Sequence, residues 1–156
     1  MKQGEYSIGR ILPHETWALR AAVLWPEKKE GPECAMSMDG DSGVFHVGAR
    51  IAGQVVCTST FMPDRHPGLP EEISYRLRAM ATHPEHRNQG LGKVVLEHAL
   101  RDLEEMGCGG VWADARHIAL GFYACLGWDV SGPSYEVTLR GLHRLVWRRT
   151  GVAINR

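Results

Sequence analysis

Long apolar runs are missing from this chain of 156 residues. The longest, Ala21 to Trp25, falls far short of the roughly 18–20 residues that a membrane-spanning helix needs, so no span is expected. Net charge is missing too. Lys and Arg total 18 against 18 Asp and Glu, which removes the basic footprint of a nucleic-acid-binding protein and argues against a nucleic-acid partner. Cysteines are few and irregularly spaced. Cys34, Cys57, Cys108 and Cys125 contain no C-x-x-C pair, which speaks against a zinc or dithiol-exchange motif, and they read as reduced, mostly buried thiols. The opening MKQGEYSIGR has neither the apolar stretch nor the small-residue cleavage site of a secretory signal, so the cytoplasm is the expected compartment. No internal repeat is visible.

The composition that remains, 44% apolar and 23% charged, is ordinary globular usage, and the length suits a single domain over 1–156. Tyr6 to Leu12 reads as a strand. Pro13 then opens a helix in which Trp17, Ala18, Ala21, Leu24 and Trp25 recur at helical spacing, and Pro26 ends it. The stretch 27–43 is rich in Gly, Pro and acid, and reads as an irregular loop, the expected mobile segment. Val44–Ala49 and Val55–Phe61 flank a turn-like Arg50-Ile51-Ala52-Gly53 and predict a hairpin. Ser74–Thr82 alternates as a strand should. Leu91, Val95, Ala99, Leu103 and Met106 form one stripe of a helix over 91–106, with Gly107 as its C-terminal cap. A buried strand over Gly110–Ala115, a helix over Ile118–Leu126 stopped by Gly127, and two strands near 130–139 and 142–149 complete the order. The order, strand, helix, hairpin, strand, helix, strand, helix and then two strands, predicts a mixed α/β sheet.

The segment Arg87-Asn88-Gln89-Gly90-Leu91-Gly92 lies between a strand and the first turn of the strongest helix. The first N–H groups of a helix have no intrahelical partner, and the helix dipole adds roughly half a positive charge there. Glycines at 90 and 92 clear side chains from the path of an approaching phosphate. The nucleoside-triphosphate loop would need Gly at Arg87 and Ser or Thr at Val94, and the dinucleotide fingerprint would need a small residue at Val95, so neither fits. A tight turn with no ligand is the plain alternative.

R-x-x-G-x-G after a strand, at the head of an amphipathic helix, resembles the acetyl-CoA loop of the GNAT N-acetyltransferases. Downstream, Arg116 to Trp128, with its Phe122-Tyr123 pair and its Leu126-Gly127-Trp128 ending, resembles that family's later signature. The resemblance implies a single-domain α/β fold. It has a mostly antiparallel, twisted sheet of about six to seven strands, flanked by about four helices, whose fourth strand parts from its fifth. It further implies that Arg87, Asn88, Gln89, Gly90, Leu91, Gly92 and Lys93 cradle the pyrophosphate of acetyl-CoA or coenzyme A, a co-substrate. Met80, Ala81 and Thr82 would pair with the pantetheine arm as an added strand. Arg116 stands where many members carry Asn, and is available to a phosphate or to the acceptor.

Acetyl transfer to an amine needs a neutral nucleophile, donors for an oxyanion and a proton for the departing thiolate. By the same resemblance Tyr123 is the general acid, since a phenol with a pKa of about 10 keeps its proton at neutral pH. An aromatic pair on a short helix also suits a core. A backbone N–H near Met80 or Ala81 is the simplest oxyanion donor. Glu33, His46, Glu71, Glu72 and His83 are all chemically able to act as the base, and none has a spacing that singles it out. His83 and His86 read as a solvated turn, so no metal site is expected. Arg144, Trp147, Arg148 and Arg149 read as the charged, solvent side of an edge strand. The function expected is transfer of acetyl from acetyl-CoA to an unidentified amine; the alternative is a non-catalytic acyl-CoA-binding domain. Small single-sheet enzymes often dimerise symmetrically, which leaves a homodimer open.

Overall fold

The computed structural model describes residues 5–151. The outermost stretches of the domain expected over 1–156 therefore lie outside the described residues. Seven strands form one mixed sheet in the order β1-β2-β3-β4-β5-β7-β6, where β1 is Ser7–Ile11, β2 Phe45–Ile51, β3 Gln54–Pro63, β4 Ile73–Thr82, β5 Gly110–Arg116, β6 Asp129–Val137 and β7 Gly141–Arg149. Among the described residues there are three α-helices, α1 (Trp17–Leu19), α2 (Leu91–Glu105) and α3 (Leu120–Cys125), one fewer than the expected four. No helix of the described residues is long and apolar enough to cross a membrane. The fold falls into two compact units, one taking the chain up to Met62 with Leu77–Ala99, the other Pro63–Arg76 with the chain from Leu100 onward.

In the first unit β1, β2 and β3 form an antiparallel meander. The β2–β3 hairpin turns at Ala52 and Gly53, with φ values of 50° and 80°. Positive φ at both central residues belongs to the primed turns, whose twist matches that of the flanking strands. The expected first helix is a composite, a 3₁₀ turn over Pro13–Thr16, then α1, then a π turn over Arg20–Leu24. Thr16, Leu19, Arg20 and Ala21 are its buried residues, so the expected stripe of Trp17, Ala18, Leu24 and Trp25 is displaced, Ala21 alone being common to both.

Arg20 is fully buried because the loop after it supplies a partner. Its Nη1 donates to Asp39 Oδ2 at 2.6 Å and to the Cys34 carbonyl at 3.0 Å, and its Nη2 donates to Asp39 Oδ1 and Thr60 Oγ1, both at 2.9 Å. His46 completes the group, with Nδ1 2.8 Å from Thr60 Oγ1 and Nε2 3.0 Å from the Asp39 carbonyl. A carbonyl can only accept, so Nε2 carries the proton and Nδ1 accepts from Thr60. The acidic loop thus spends one of its carboxylates inside the protein.

Burial depresses the His46 pKa from 6.5, more than its carbonyl partner and the Asp39 carboxylate raise it. Burial acts to raise the Asp39 pKa, but hydrogen bonds from Arg20 and the Met36 N–H outweigh it and hold the carboxyl below 3.8. Glu15 falls from 4.5 to about 2, first through Arg50 at 2.5 Å and then through the Leu12 N–H. The signs give two acid steps. Below pH 6.5 the unfolded chain takes a proton that native His46 refuses, so stability declines as pH falls to the folded pKa. Below about pH 4.5 the benefit of Glu15, and then that of Asp39, is lost. Urea midpoints measured from pH 8 to pH 3 are expected to be flat at the top and to fall in both windows, and His46→Gln is expected to remove the upper step alone.

In the second unit β5 runs antiparallel to β7, and β7 to β6. β7 is therefore an interior strand. The expectation that Arg144, Arg148 and Arg149 shield an edge is corrected: Arg148 is buried, Arg149 pairs with Glu72 at 3.1 Å, and Arg144 donates to the Gly132 carbonyl at 2.8 Å. β4 and β5 are parallel, registered at Ile73–Gly110, Tyr75–Val111 and Arg76–Trp112, a short ladder at the start of both strands. Gly110 lies against its neighbours so closely that a Cβ there would come 2.6 Å from the Arg148 carbonyl oxygen.

Candidate functional site

β4 enters the candidate site through an irregularity. Its side chains alternate between buried and half-buried from Ile73 to Arg78, and Ala79 then takes φ 53° in mid-strand. A left-handed L-residue costs on the order of 1–3 kcal/mol and persists only where its surroundings hold it, a condition that clusters at ligand sites. The half-buried Met80, the buried Ala81 and the half-buried Thr82 follow at once. Thr82 Oγ1 donates to Cys57 Sγ at 3.3 Å, and Arg87 Nε donates to the Thr82 carbonyl at 3.4 Å.

After a 3₁₀ turn over Pro84–His86, Arg87, Asn88, Gln89 and Gly90 are all exposed. Asn88 and Gly90 have φ values of 61° and 78°. A Cβ built on Gly90 meets nothing within 4 Å, so it is this positive φ, not crowding, that calls for glycine. Leu91 is buried and anchors the helix start, and the first helical bond runs from the Val94 N–H to the Gly90 carbonyl at 3.2 Å. The N–H groups of Leu91, Gly92 and Lys93 precede it, at the positive end of a 15-residue helix. α2 holds its place through Leu91, Val95, Leu96, Ala99, Leu100 and Leu103, whereas Met106, expected on that stripe, lies past the helix end and is exposed. Gly107 caps the helix at φ 81°.

Tyr123 is buried in α3, its ring edge-on to Phe122 at 5.1 Å and tilted against Trp128 at 5.0 Å. Arg116 ends β5, half-buried, opposite His143. The five candidate bases are scattered. His46 is enclosed, Glu33 Oε1 lies 3.5 Å from the Lys29 N–H, and Glu71 faces Arg65 at 3.6 Å. Glu72 is paired with Arg149, and His83 Nδ1 accepts from the Glu85 N–H at 3.1 Å. The His83 and His86 rings meet edge-on at 5.6 Å.

A polar group that the sequence reading passed over lies in the second unit. Asp114 of β5 receives Arg76 Nη2 at 2.5 Å on Oδ2 and the Tyr135 hydroxyl on Oδ1. The Arg76 guanidinium lies over the Trp112 ring at 4.6 Å, and its Nη1 reaches Asp64 at 3.5 Å. A charged residue inside the run Val111-Trp112-Ala113-Asp114-Ala115 was the available signal, because a buried strand admits a carboxylate only where partners wait for it.

The sheet is mixed, with a short parallel β4–β5 ladder, and the glycine loop after β4 opens α2. The family model described as the acetyltransferase (GNAT) family matches residues 11–128. The uncharacterized N-acetyltransferase YitI of Bacillus subtilis is 34% identical over 138 residues, covering 88% of this chain and 92% of that protein. Among solved structures, an aminoglycoside 6'-N-acetyltransferase complexed with coenzyme A has a TM-score of 0.75 at 12% identity, covering 96% of this chain and 99% of that one. The ribosomal-protein-S18-alanine N-acetyltransferase of Escherichia coli has a TM-score of 0.72 at 16% identity, covering 95% of this chain and 96% of that one. The chain belongs to the GNAT family of acetyltransferases. It is an acyltransferase of the acyl-CoA-dependent N-acetyltransferase type.

Proposed function

We propose that this protein binds acetyl-CoA and transfers the acetyl group directly to an amine of a small molecule or peptide, in the cytoplasm, with Tyr123 as general acid. The observation that carries the reading is the exposed run Arg87–Gly90 leading into three helix-start N–H groups that precede the first helical bond. That crown suits a diphosphate, with Arg87 and Lys93 as counter-charges, and Asn88, Gln89, Gly90, Leu91 and Gly92 supplying backbone. Met80, Ala81 and Thr82 follow the distorted residue of β4 and suit a pantetheine arm paired along the backbone. Arg116 is assigned to a phosphate of the cofactor. The neighbour solved with coenzyme A shares this fold and adds support.

The amine nitrogen attacks the thioester carbonyl carbon, the C–S bond breaks, and the sulfur takes a proton from the Tyr123 hydroxyl. Burial pushes the Cys57 thiol up to about 11, and Cys34 and Cys108 are buried as well, so these three are poorly suited to carry a cysteine-bound acetyl intermediate. The four free cysteines also suit a reducing compartment. Incubating the protein with acetyl-CoA and a panel of spermidine, kanamycin, free amino acids and an alanine-starting peptide, while following free thiol, tests the reading. Thiol release that depends on one of these amines supports it; release with none of them contradicts it.

A further inference from the structure

The Arg76–Asp114–Tyr135 group has more structure than a strand staple requires. Arg76 is already held by Asp64 and by stacking on Trp112, and Tyr135 is 36% exposed, with its hydroxyl bonded to the partly exposed Asp114 carboxylate. Position adds to this. The β4–β5 ladder ends at Arg76–Trp112, and Asp114 is the next residue of β5 on the face that carries Trp112. Resting on the acetyl-transfer reading above, we propose that Tyr135 and Asp114 form the relay that takes the proton shed by the attacking amine, with Arg76 as the residue that positions the carboxylate.

In the step, an N–H bond of the acceptor nitrogen breaks as its proton passes to the Tyr135 oxygen, and the Tyr135 O–H bond breaks as that proton passes to Asp114. The hydroxyl is regenerated, Asp114 is left protonated, and it returns the proton to water. The charges keep each partner to its part. Burial and then the Asp114 hydrogen bond push the Tyr135 pKa far above 10, so the phenol passes a proton on only while it receives one. The groups facing the pair are Arg76 from β4, Asp64 from the segment before it, and His143 of β7. The His143 ring stacks on Tyr135 at 6.4 Å, with Nδ1 2.8 Å from the Gly141 carbonyl. The relay also answers the open question of the base, for which the five sequence candidates shared no arrangement.

Tyr135→Phe and Asp114→Asn test this, assayed by free-thiol release with acetyl-CoA and whichever of spermidine, kanamycin, a free amino acid or the alanine-starting peptide wild type acetylates. Each variant is expected to lose about a hundredfold or more in kcat, with KM for the amine changed less than about threefold. Their rates are expected to keep climbing with pH where wild type levels off, and added imidazole is expected to restore part of the rate to Asp114→Asn. Asp114→Glu is expected to keep more activity than Asp114→Asn. Unchanged kcat in either variant overturns the relay. So does a loss that imidazole fails to restore and that parallels a drop in the urea midpoint, because that is how a staple behaves. If wild type acetylates none of these amines, the acetyl-transfer reading fails and the relay falls with it.

Discussion

Tyr123→Phe is expected to lower kcat for the best amine acceptor by about 10²–10⁴-fold while leaving coenzyme A affinity within about twofold. The ring is the part of Tyr123 that packs, against Phe122 at 5.1 Å and Trp128 at 5.0 Å, and phenylalanine keeps that packing. What it loses is the proton for the departing thiolate. Without that proton the sulfur leaves as an anion, or the tetrahedral species collapses back to substrates. The loss therefore belongs in kcat, and the urea midpoint is expected to move little, by the roughly 0.5–1.5 kcal/mol of one hydrogen bond at most. Full activity in the variant would make Tyr123 a core ring and leave the thiolate's proton to another donor.

Asp39→Ala is expected to cost about 3–5 kcal/mol of stability, the range for stripping one partner from a buried ion pair. The magnitude follows from what stays behind. Arg20 is fully buried, and its Nε already has no partner among the described residues, so both Nη groups would lose their main acceptor with no water to replace it. Two further tethers weaken together: the Met36 N–H bonds the same carboxylate at 2.9 Å, and His46 bonds the Asp39 carbonyl. Replacing Arg20 with Met and Asp39 with Leu at once is expected to recover most of the loss, since the cost comes from the uncompensated charge and the apolar pair carries none. Urea denaturation of the single and double variants reads both effects. A loss below about 1 kcal/mol in Asp39→Ala would show that the pair is solvated.

Where the chain's local chemistry is self-sufficient, the fold was legible. The hairpin turns at Ala52-Gly53, α2 carries an apolar stripe and ends at Gly107, and the short α3 segment ends at Gly127, each decided by residues close in sequence. The first helix was misread because the buried position went to Arg20, which hydrophobic periodicity assigns to solvent and which only a partner nineteen residues on makes tolerable. The place of β7 between β5 and β6 was not readable either: two terminal strands pair with each other in any case, and which of them meets β5 is settled by long-range packing. At the site, the loop Arg87–Gly92 stood out because glycine spacing and a helix start are local signals. Asp114 and Tyr135 did not, since 21 residues separate the two members of that pair. The left-handed Ala79 has no signature at all, because alanine is not a residue that announces positive φ.

The central claim is that the start of α2 grips the diphosphate of the coenzyme. Calorimetric titration of coenzyme A into wild type and into Gly92→Asp tests it most directly. Aspartate in the first turn favours the helix, so the fold is expected to be as stable or slightly more so, while its carboxylate faces the same N–H groups that the diphosphate needs. Wild type is expected to bind, and the variant at least about tenfold more weakly. Equal affinity in the two proteins, or no heat from wild type at millimolar coenzyme A, would contradict the account.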